Sequence, residues 1–297
     1  MALKPVVVEG MDYSEMSFNE KRVKFIQALL RSNVKKLKET PATDPYEEAK
    51  SAYHAYSIEE KKPLERKPHS AKAIYECTHK SFSSDCLVVC KVYEAKKSEY
   101  DPKKSLYLKT LRHLGKKHPN IVQTWDLISK DGTVYVFQEL APYGNMTNYM
   151  EKHGALKEDQ AQTVAKQLRL GMDFLGDMGI VHRAIMPRHV LLCHKDMRVK
   201  LTGFRSAIIY YNEKKDDINF QPCLSAVKKK NEDYQAPEVF GNPKMEKFDP
   251  IAADVWSFAA TIYNLITRKY PYEKTVSWFD LVHSKMLSQL TTLAIMV

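Results

Sequence analysis

The sequence predicts an α+β protein with two lobes, a strand-rich lobe followed by a mainly helical one. Short apolar runs bounded by turn residues, which are typical of strands, are concentrated in residues 61–140. From residue 141 onward, most apolar residues instead recur at helical spacing. Residues 1–60 show helical signals only. We therefore predict an N-terminal helical extension (1–60), an N-lobe with an antiparallel sheet and a helix (61–140) and a C-lobe (141–297).

The extension is predicted to begin with a helix over residues 17–40. Ser17 and Glu20 have the spacing of a capping box, and apolar residues from Val23 onward recur on one face. Pro41 ends this helix, and a second one is predicted to start at Asp44, followed by proline at its first helical position. Two alternatives remain open, since the extension can dock on the main domain or bind a partner.

The two lobes are then assigned element by element. The predicted N-lobe elements are strands Ala71–Thr78 and Cys86–Tyr93, a helix over 102–114, and a hairpin of Ile121–Ile128 with Val134–Leu140 around Asp131-Gly132. The predicted C-lobe elements are a long helix around 161–175, strands Val190–Cys193 and Val199–Thr202, an irregular stretch over 206–233, and helices over 254–267 and 277–290.

Composition narrows the class of protein. The 297 residues are 44% hydrophobic and 28% charged, and no run approaches the ~18 apolar residues of a membrane-spanning helix. The amino terminus does not resemble a secretory signal. Five cysteines without a CxxC pair argue against a disulfide framework and a structural zinc site, so we expect a reduced, cytoplasmic setting.

The net charge of +10 is concentrated in one segment. Residues 61–117 hold 15 basic and 6 acidic residues. Such a segment is either a solvated lysine-rich surface or a site for an anionic partner. A basic patch that binds nucleic acid or a cytoskeletal polymer is therefore one alternative function, although nucleic acid is not the expected partner.

Seven short sequence motifs, in a fixed order along the chain, resemble motifs of the eukaryotic protein kinase family. Their sequences are most similar to those of calcium/calmodulin-kinase-like or testis-specific Ser/Thr kinases. The motifs are Val88-Val89-Cys90-Lys91, His118-Pro119-Asn120-Ile121-Val122, Glu139-Leu140, Ile180-Val181-His182-Arg183 with the later Pro187, Val199-Lys200-Leu201-Thr202, Tyr234-Gln235-Ala236-Pro237-Glu238 and Asp254-Val255-Trp256-Ser257. The resemblance spans about residues 65–290. It implies a two-lobed kinase-like fold whose C-lobe is truncated at its end, with the apolar tail Leu293–Val297.

The positions that carry phosphoryl-transfer chemistry in this family differ here. The substrate-orienting carboxylate is replaced by Ala184, and the lysine that meets the transferring phosphate is replaced by Met186. The two metal-binding positions hold His189 and Gly203. We expect no metal at this site, because Mg²⁺ prefers oxygen ligands.

The nucleotide-binding positions are only partly present. Lys91 matches the nucleotide-binding lysine, and Glu139 lies in the hinge. The helix over 102–114, with Tyr107 at the position of the family's glutamate, contains no acidic residue that could pair with Lys91. The stretch that should cover the phosphates contains no glycine. We therefore expect no bound cofactor, with ATP held without Mg²⁺ as the alternative.

The remaining matches imply structural roles. The residues expected to build the fold are His182, Arg183, Phe204, Glu238, Asp254 and Trp256. These positions together predict a catalytically inactive kinase-like scaffold, a pseudokinase that is not an enzyme.

The expected protein partners would bind through the N-terminal helices, the basic N-lobe or the exposed end of the C-lobe. A sperm, flagellar or cytoskeletal location follows by analogy only. The alternative to the scaffold is a metal-independent nucleotide binder or a weakly active Ser/Thr kinase.

Overall fold

The structure is a computed structural model that describes residues 18–65, 73–83, 87–222, 232–240 and 246–271. Its helices are α1 (Phe18–Glu39), α2 (Lys50–Ala55), α3 (Leu106–Leu114), α4 (Met146–His153), α5 (Glu158–Asp177) and α6 (Pro250–Thr267). Its longer strands are β1 (Asp44–Pro45), β2 (Tyr56–Glu65), β3 (Ala73–His79), β4 (Val88–Glu94), β5 (Thr124–Lys130) and β6 (Thr133–Glu139). The remaining strands are short: β7 (Ile180–Val181), β8 (Val190–Leu192), β9 (Val199–Leu201), β10 (Ile208–Ile209), β11 (Tyr211–Asn212), β12 (Asp217–Ile218), β13 (Gln221–Pro222) and β14 (Lys247–Phe248).

A six-stranded sheet in the order β1-β5-β6-β4-β3-β2 forms the N-lobe. All neighbouring pairs are antiparallel except β1 with β5. The β5–β6 turn uses Asp131 (φ 47°) and Gly132 (φ 71°), which is the geometry that an Asp-Gly pair favours in a tight hairpin. The predicted α+β, two-lobed fold is confirmed.

The two faces of this sheet are covered by different elements. On the outer face, the residues around α2 pack over buried Cys77, Cys90 and Phe137, and the ring of Tyr56 stacks on Phe137 with 3.8 Å between ring centroids. On the inner face, Tyr93 packs with α3 in the main core. Since side chains alternate along a strand, Lys91 points to the inner face, opposite to Cys90.

The C-lobe is built around α5, whose apolar face is buried throughout its length. α6 packs against α5 and begins at Asp249, whose side chain accepts a hydrogen bond from the Ile251 amide, with Pro250 at the first helical position. The paired strands β8 and β9 lie beside α5 and lead into the segment 202–206. Among the described residues, no helix has both the length and the apolar character required to cross a bilayer.

Helix α1 docks on both lobes. Val34 is fully buried, and its Cγ2 lies 2.5 Å from the place where a side chain at Gly179 would begin. Arg31 binds the carboxylate of Asp216 on the turn between β11 and β12, and the Lys109 ammonium of α3 donates to the Lys38 carbonyl at 2.7 Å. Of the two alternatives for the extension, the structure therefore shows docking on the main domain.

The elements around residue 50 differ from the prediction. In place of a helix that starts at Asp44, the chain forms β1, a turn and then α2, and β2 begins at Tyr56, inside the predicted extension. Tertiary contacts explain this difference, because as a strand this segment stacks Tyr56 on Phe137 and pairs Ile58 with Cys77 in the sheet. The predicted helix over 277–290, the tail Leu293–Val297 and part of the glycine-free stretch lie outside the described residues.

Candidate active-site cleft

The floor of the cleft between the lobes is the loop 182–189, and α6 holds it from below. The buried carboxylate of Asp254 accepts the backbone N–H groups of His182 at 2.5 Å and of Arg183 at 2.7 Å. Arg183 has a φ of 61°, so these bonds hold a turn that a free chain rarely adopts. Burial raises the pKa of Asp254 to about 6, although both amide bonds act in the opposite direction.

His182 joins this loop to the segment 202–204. Its Nε2 lies 2.8 Å from the Thr202 carbonyl oxygen, and because a carbonyl can only accept a hydrogen bond, Nε2 carries the proton. Its Nδ1 accepts a hydrogen bond from the backbone N–H of Ala184 at 3.2 Å. The ring contacts Phe204 edge to face with 4.9 Å between centroids. Burial, assisted by His189, lowers the pKa of His182 to about 3, so the ring is neutral. We call Asp254, His182 and Phe204 the buried frame.

Above the frame, His189 contacts two other substituted positions, Ala184 and Gly203. The Nδ1 of His189 lies 2.7 Å from the carbonyl oxygen of Ala184, so Nδ1 carries the proton. Gly203 has a φ of +88°, and a Cβ built on it would lie 2.6 Å from the His189 ring. We call Ala184, His189 and Gly203 the cleft lining.

The cleft lining does not fit the divalent cation that the family resemblance implies. The position expected to supply a carboxylate has no side chain, and the imidazole ring lies against it. Hard cations such as Mg²⁺ prefer oxygen ligands. Within the described ranges, no group of three or more His, Cys, Asp or Glu side chains is placed to hold a metal ion.

Met186, Arg183 and Arg188 complete the loop. Met186 is 2% exposed and contributes to the core of the lobe, so no ammonium group reaches the cleft from this position. Arg188 is exposed, and burial lowers the pKa of the Arg183 guanidinium against the opposing effect of Asp254.

The roof of the cleft carries Lys91 and a cluster of three tyrosines. The Tyr93 and Tyr107 hydroxyls are 3.0 Å apart, and the rings of Tyr93 and Tyr100 stack with 4.4 Å between centroids. Tyr107 thus occupies the helix position at which the resemblance predicts a glutamate, and burial raises its pKa to about 12. Arg205 lies beside Tyr100, whose hydrogen bond raises the pKa of the guanidinium. The sequence analysis missed this tyrosine cluster.

The hinge side chain Glu139 is held by both lobes. Its Oε2 lies 2.6 Å from the Lys200 ammonium of β9, and its Oε1 accepts the Gln123 amide at 2.8 Å. Both charged side chains are about four-fifths buried, at 17% and 16% exposure. The Glu139 carboxylate therefore ties the hinge to the C-lobe. Sequence reasoning selected Glu139 and missed its partner.

The other predicted structural residues lie farther along the C-lobe. Trp256 packs against a small cluster that includes buried Ala236 and Phe248. Glu238 lies in a short 3₁₀ turn over Pro237–Phe240 that adjoins β14.

Two basic side chains of the segment 61–117 are used inside the protein. Arg112 binds Asp44 with two hydrogen bonds of 2.8 Å, and Lys109 donates to the backbone of α1. Asp216, the nearest aspartate after the Gly203 position, binds Arg31 of α1.

The sequence of this chain is similar to those of known protein kinases. The family model of the protein kinase domain matches residues 70–293. The chain is 30% identical over 155 residues to serine/threonine-protein kinase PDK1 of Cryptococcus neoformans, covering 52% of this chain and 12% of that protein. It is 29% identical over 148 residues to serine/threonine-protein kinase PKH1 of Saccharomyces cerevisiae, covering 48% and 19%. It is 28% identical over 166 residues to CBL-interacting serine/threonine-protein kinase 17 of Arabidopsis thaliana, covering 56% and 36%. The matched region thus spans little more than a third, at most, of each relative's length.

Two sequence-based predictions are wrong, namely that the chain is a catalytically inactive scaffold and that it is not an enzyme. The family match extends over both lobes, and the relatives carry the names of serine/threonine kinases. These findings favour the alternative of a nucleotide binder or weakly active Ser/Thr kinase. The wrong predictions rested on the combined absence of the family's catalytic, metal-binding and phosphate-binding residues, whereas phosphoryl transfer depends on positioning and electrostatics distributed over the whole cleft.

Proposed function

Because the chain belongs to the protein kinase family, we propose that it binds ATP between its lobes and transfers the γ-phosphoryl group slowly to Ser or Thr hydroxyls. The observation that carries this proposal is the buried frame, in which Asp254 and His182 hold the floor of the cleft in one conformation. Catalysis of phosphoryl transfer consists mostly of positioning and electrostatic stabilisation, and a fixed floor supplies the positioning.

The charges around the cleft support nucleotide binding. Lys91 points to the inner face of the sheet, and Arg188 is exposed on the loop that forms the floor. The stretches 182–192 and 199–206 contain no aspartate or glutamate. A polyphosphate would therefore meet cationic side chains without opposing carboxylates from these stretches.

The proposed transfer proceeds without a protein carboxylate at position 184. The bond between the γ-phosphorus and the β,γ-bridging oxygen breaks, and a bond forms from the substrate hydroxyl oxygen to phosphorus. The hydroxyl proton passes to an oxygen of the transferred phosphoryl group, which leaves ADP and a phosphorylated Ser or Thr. Because Ala184 cannot orient the hydroxyl, we expect a low rate.

Thermal shift with ATP and labelling with γ-³²P-ATP test this proposal. We expect ATP to raise the Tm and a slow transfer of label to a Ser/Thr acceptor protein. Both effects should be lost in Lys91→Met, while Lys96→Met removes an exposed lysine just beyond the same strand and should change neither. A folded protein that shows no shift and no transfer would contradict the proposal.

Partners and location are further parts of the proposal. Protein contacts through the N-terminal helix are supported by four large apolar side chains that α1 leaves exposed, Val23, Phe25, Ile26 and Leu29. A reduced cytoplasmic setting is supported by the thiols of Cys77 and Cys193, which form no disulfide among the described residues.

A further inference from the structure

The side chain of His189 and the missing side chain of Gly203 occupy one shared space. A Cβ at position 203 would lie 2.6 Å from both Cγ and Cδ2 of the imidazole, a distance that real contacts do not reach. An aspartate at this position would meet the ring with its first side-chain atom. The two substitutions are therefore coupled by volume as well as by their shared place in the cleft.

The imidazole is held where it is. Its Nδ1–H donates to the Ala184 carbonyl at 2.7 Å, and the next residue after Gly203 is Phe204, which is fully buried against His182. Turning the ring out of the shared space would break the first bond. Moving Gly203 away would displace Phe204 from the buried frame.

The backbone adds a second constraint at the same position. Gly203 has a φ of +88°, a conformation that residues with a Cβ rarely adopt. A side chain at 203 is therefore opposed by its own backbone and by the His189 ring.

We propose that His189 and Gly203 interlock to keep a divalent cation out of the cleft, so that the nucleotide is bound as the metal-free anion. This inference rests on the proposed function and specifies the form of the nucleotide. Since Mg²⁺ sequesters ATP in solution, added Mg²⁺ should lower the apparent affinity of the wild-type protein.

A stability cycle tests the interlock without any nucleotide. Gly203→Ala in the wild-type background should lower the Tm by roughly 5 °C or more, from the clash with the ring and from the φ angle together. In a His189→Ala background the clash is gone, and the further loss from Gly203→Ala should be about half as large. Equal losses in the two backgrounds would overturn the interlock.

An ATP titration by calorimetry, in EDTA and in magnesium chloride, tests the consequence. In His189→Asn/Gly203→Asp, two oxygen-bearing side chains replace the interlock, and Mg²⁺ should raise the ATP affinity about tenfold. Lys195→Asp adds a carboxylate on the exposed turn between β8 and β9, outside the cleft lining, and is the control, with no gain from Mg²⁺. A comparable gain in the wild-type protein, or none in the folded double variant, would overturn the inference.

Failure of the proposed function gives a different result. If the wild-type protein binds no ATP in either buffer, that function is wrong, and the Tm shift caused by MnCl₂ alone then decides the interlock. Stabilisation of the double variant but not of the wild-type protein supports it. An equal response of the two proteins overturns it.

Discussion

The buried frame and the cleft lining meet in space at the loop 182–189 and the segment 202–204, and they differ in the contacts that their residues make. Asp254, His182 and Phe204 match the family at positions where every polar atom has a specific backbone partner. Ala184, His189 and Gly203 depart from the family, and the His189 ring contacts the other two positions.

This difference shows that folding requires specific residues in the buried frame, whereas the residues of the cleft lining can differ from the family without loss of the fold. A buried amide that loses its acceptor destabilises the protein, so the frame is fixed by folding alone. The cleft lining differs from the family at three positions, and the residues at these positions are sterically compatible with one another. The predictions below test how far this separation holds.

We expect the largest decrease in stability when the Asp254 carboxylate beneath the loop 182–189 is removed. Asp254→Ala leaves two buried backbone N–H groups without their charged acceptor and should lower the free energy of unfolding by about 4 kcal/mol, measured by urea denaturation. Val255→Ala, on the exposed side of the same helix, should change it by less than about 0.5 kcal/mol. Similar stabilities of the two variants would contradict the role assigned to the frame.

The next largest decrease in stability is expected in α1, and it tests whether this helix is packed on the rest of the fold. Leu37 is fully buried and Leu29 is 37% exposed on the same helix. Leu37→Ala should destabilise the protein by about 3 kcal/mol, because a core leucine is removed, and Leu29→Ala by less than about 1 kcal/mol. A detached α1 would instead give two small and equal losses in the same denaturation measurement.

The last effect, which is the smallest when it is taken per pH unit, is a dependence of stability on pH. Burial lowers the pKa of His182 to about 3 and of His113 to about 4, from an ordinary value of 6.5. As the pH falls, these histidines are therefore protonated at a higher pH in the unfolded chain than in the folded protein. The stability that is present above pH 6.5 is lost as the pH falls toward the pKa values of the folded protein. Each histidine contributes roughly 1.4 kcal/mol per pH unit in that window. Asp254, with its raised pKa of about 6, partly offsets this loss below pH 6.

The measurement is the Tm as a function of pH. His113→Asn should flatten the acid slope by the contribution of one proton, whereas Gln162→Ala, at an exposed position without an ionisable group, should leave it unchanged. A slope that is the same in wild type and His113→Asn would show that burial of His113 is not the cause.

Much of the fold could be predicted because its signals are local. The Asp131-Gly132 turn and the Asp249-Pro250 start of α6 are encoded by a few adjacent residues. β2 could not be predicted, because its strand state depends on Tyr56 reaching Phe137, which is about eighty residues away in the chain. Helix α4 was missed as well, although Asn145 caps it by accepting the Asn148 amide.

The candidate site divides in the same way. Sequence motifs identified which positions are substituted, because the flanking residues fix the register. They could not show that His189 fills the space beside Gly203, that Lys200 binds Glu139, or that Tyr107 meets Tyr93. Each of these contacts joins residues that are far apart in the chain, and only the folded structure brings them together.

The two borders of the N-lobe sheet have a consequence for association. One border carries β1, only two residues long, and the other carries β2, whose register is irregular between Ile58 and Pro63. Pro63 offers no backbone N–H for pairing at this border. In the part of the chain that the structure describes, neither border presents a long, regular row of backbone groups, and this protects the described sheet against pairing with an incoming strand and growing into fibrous aggregates.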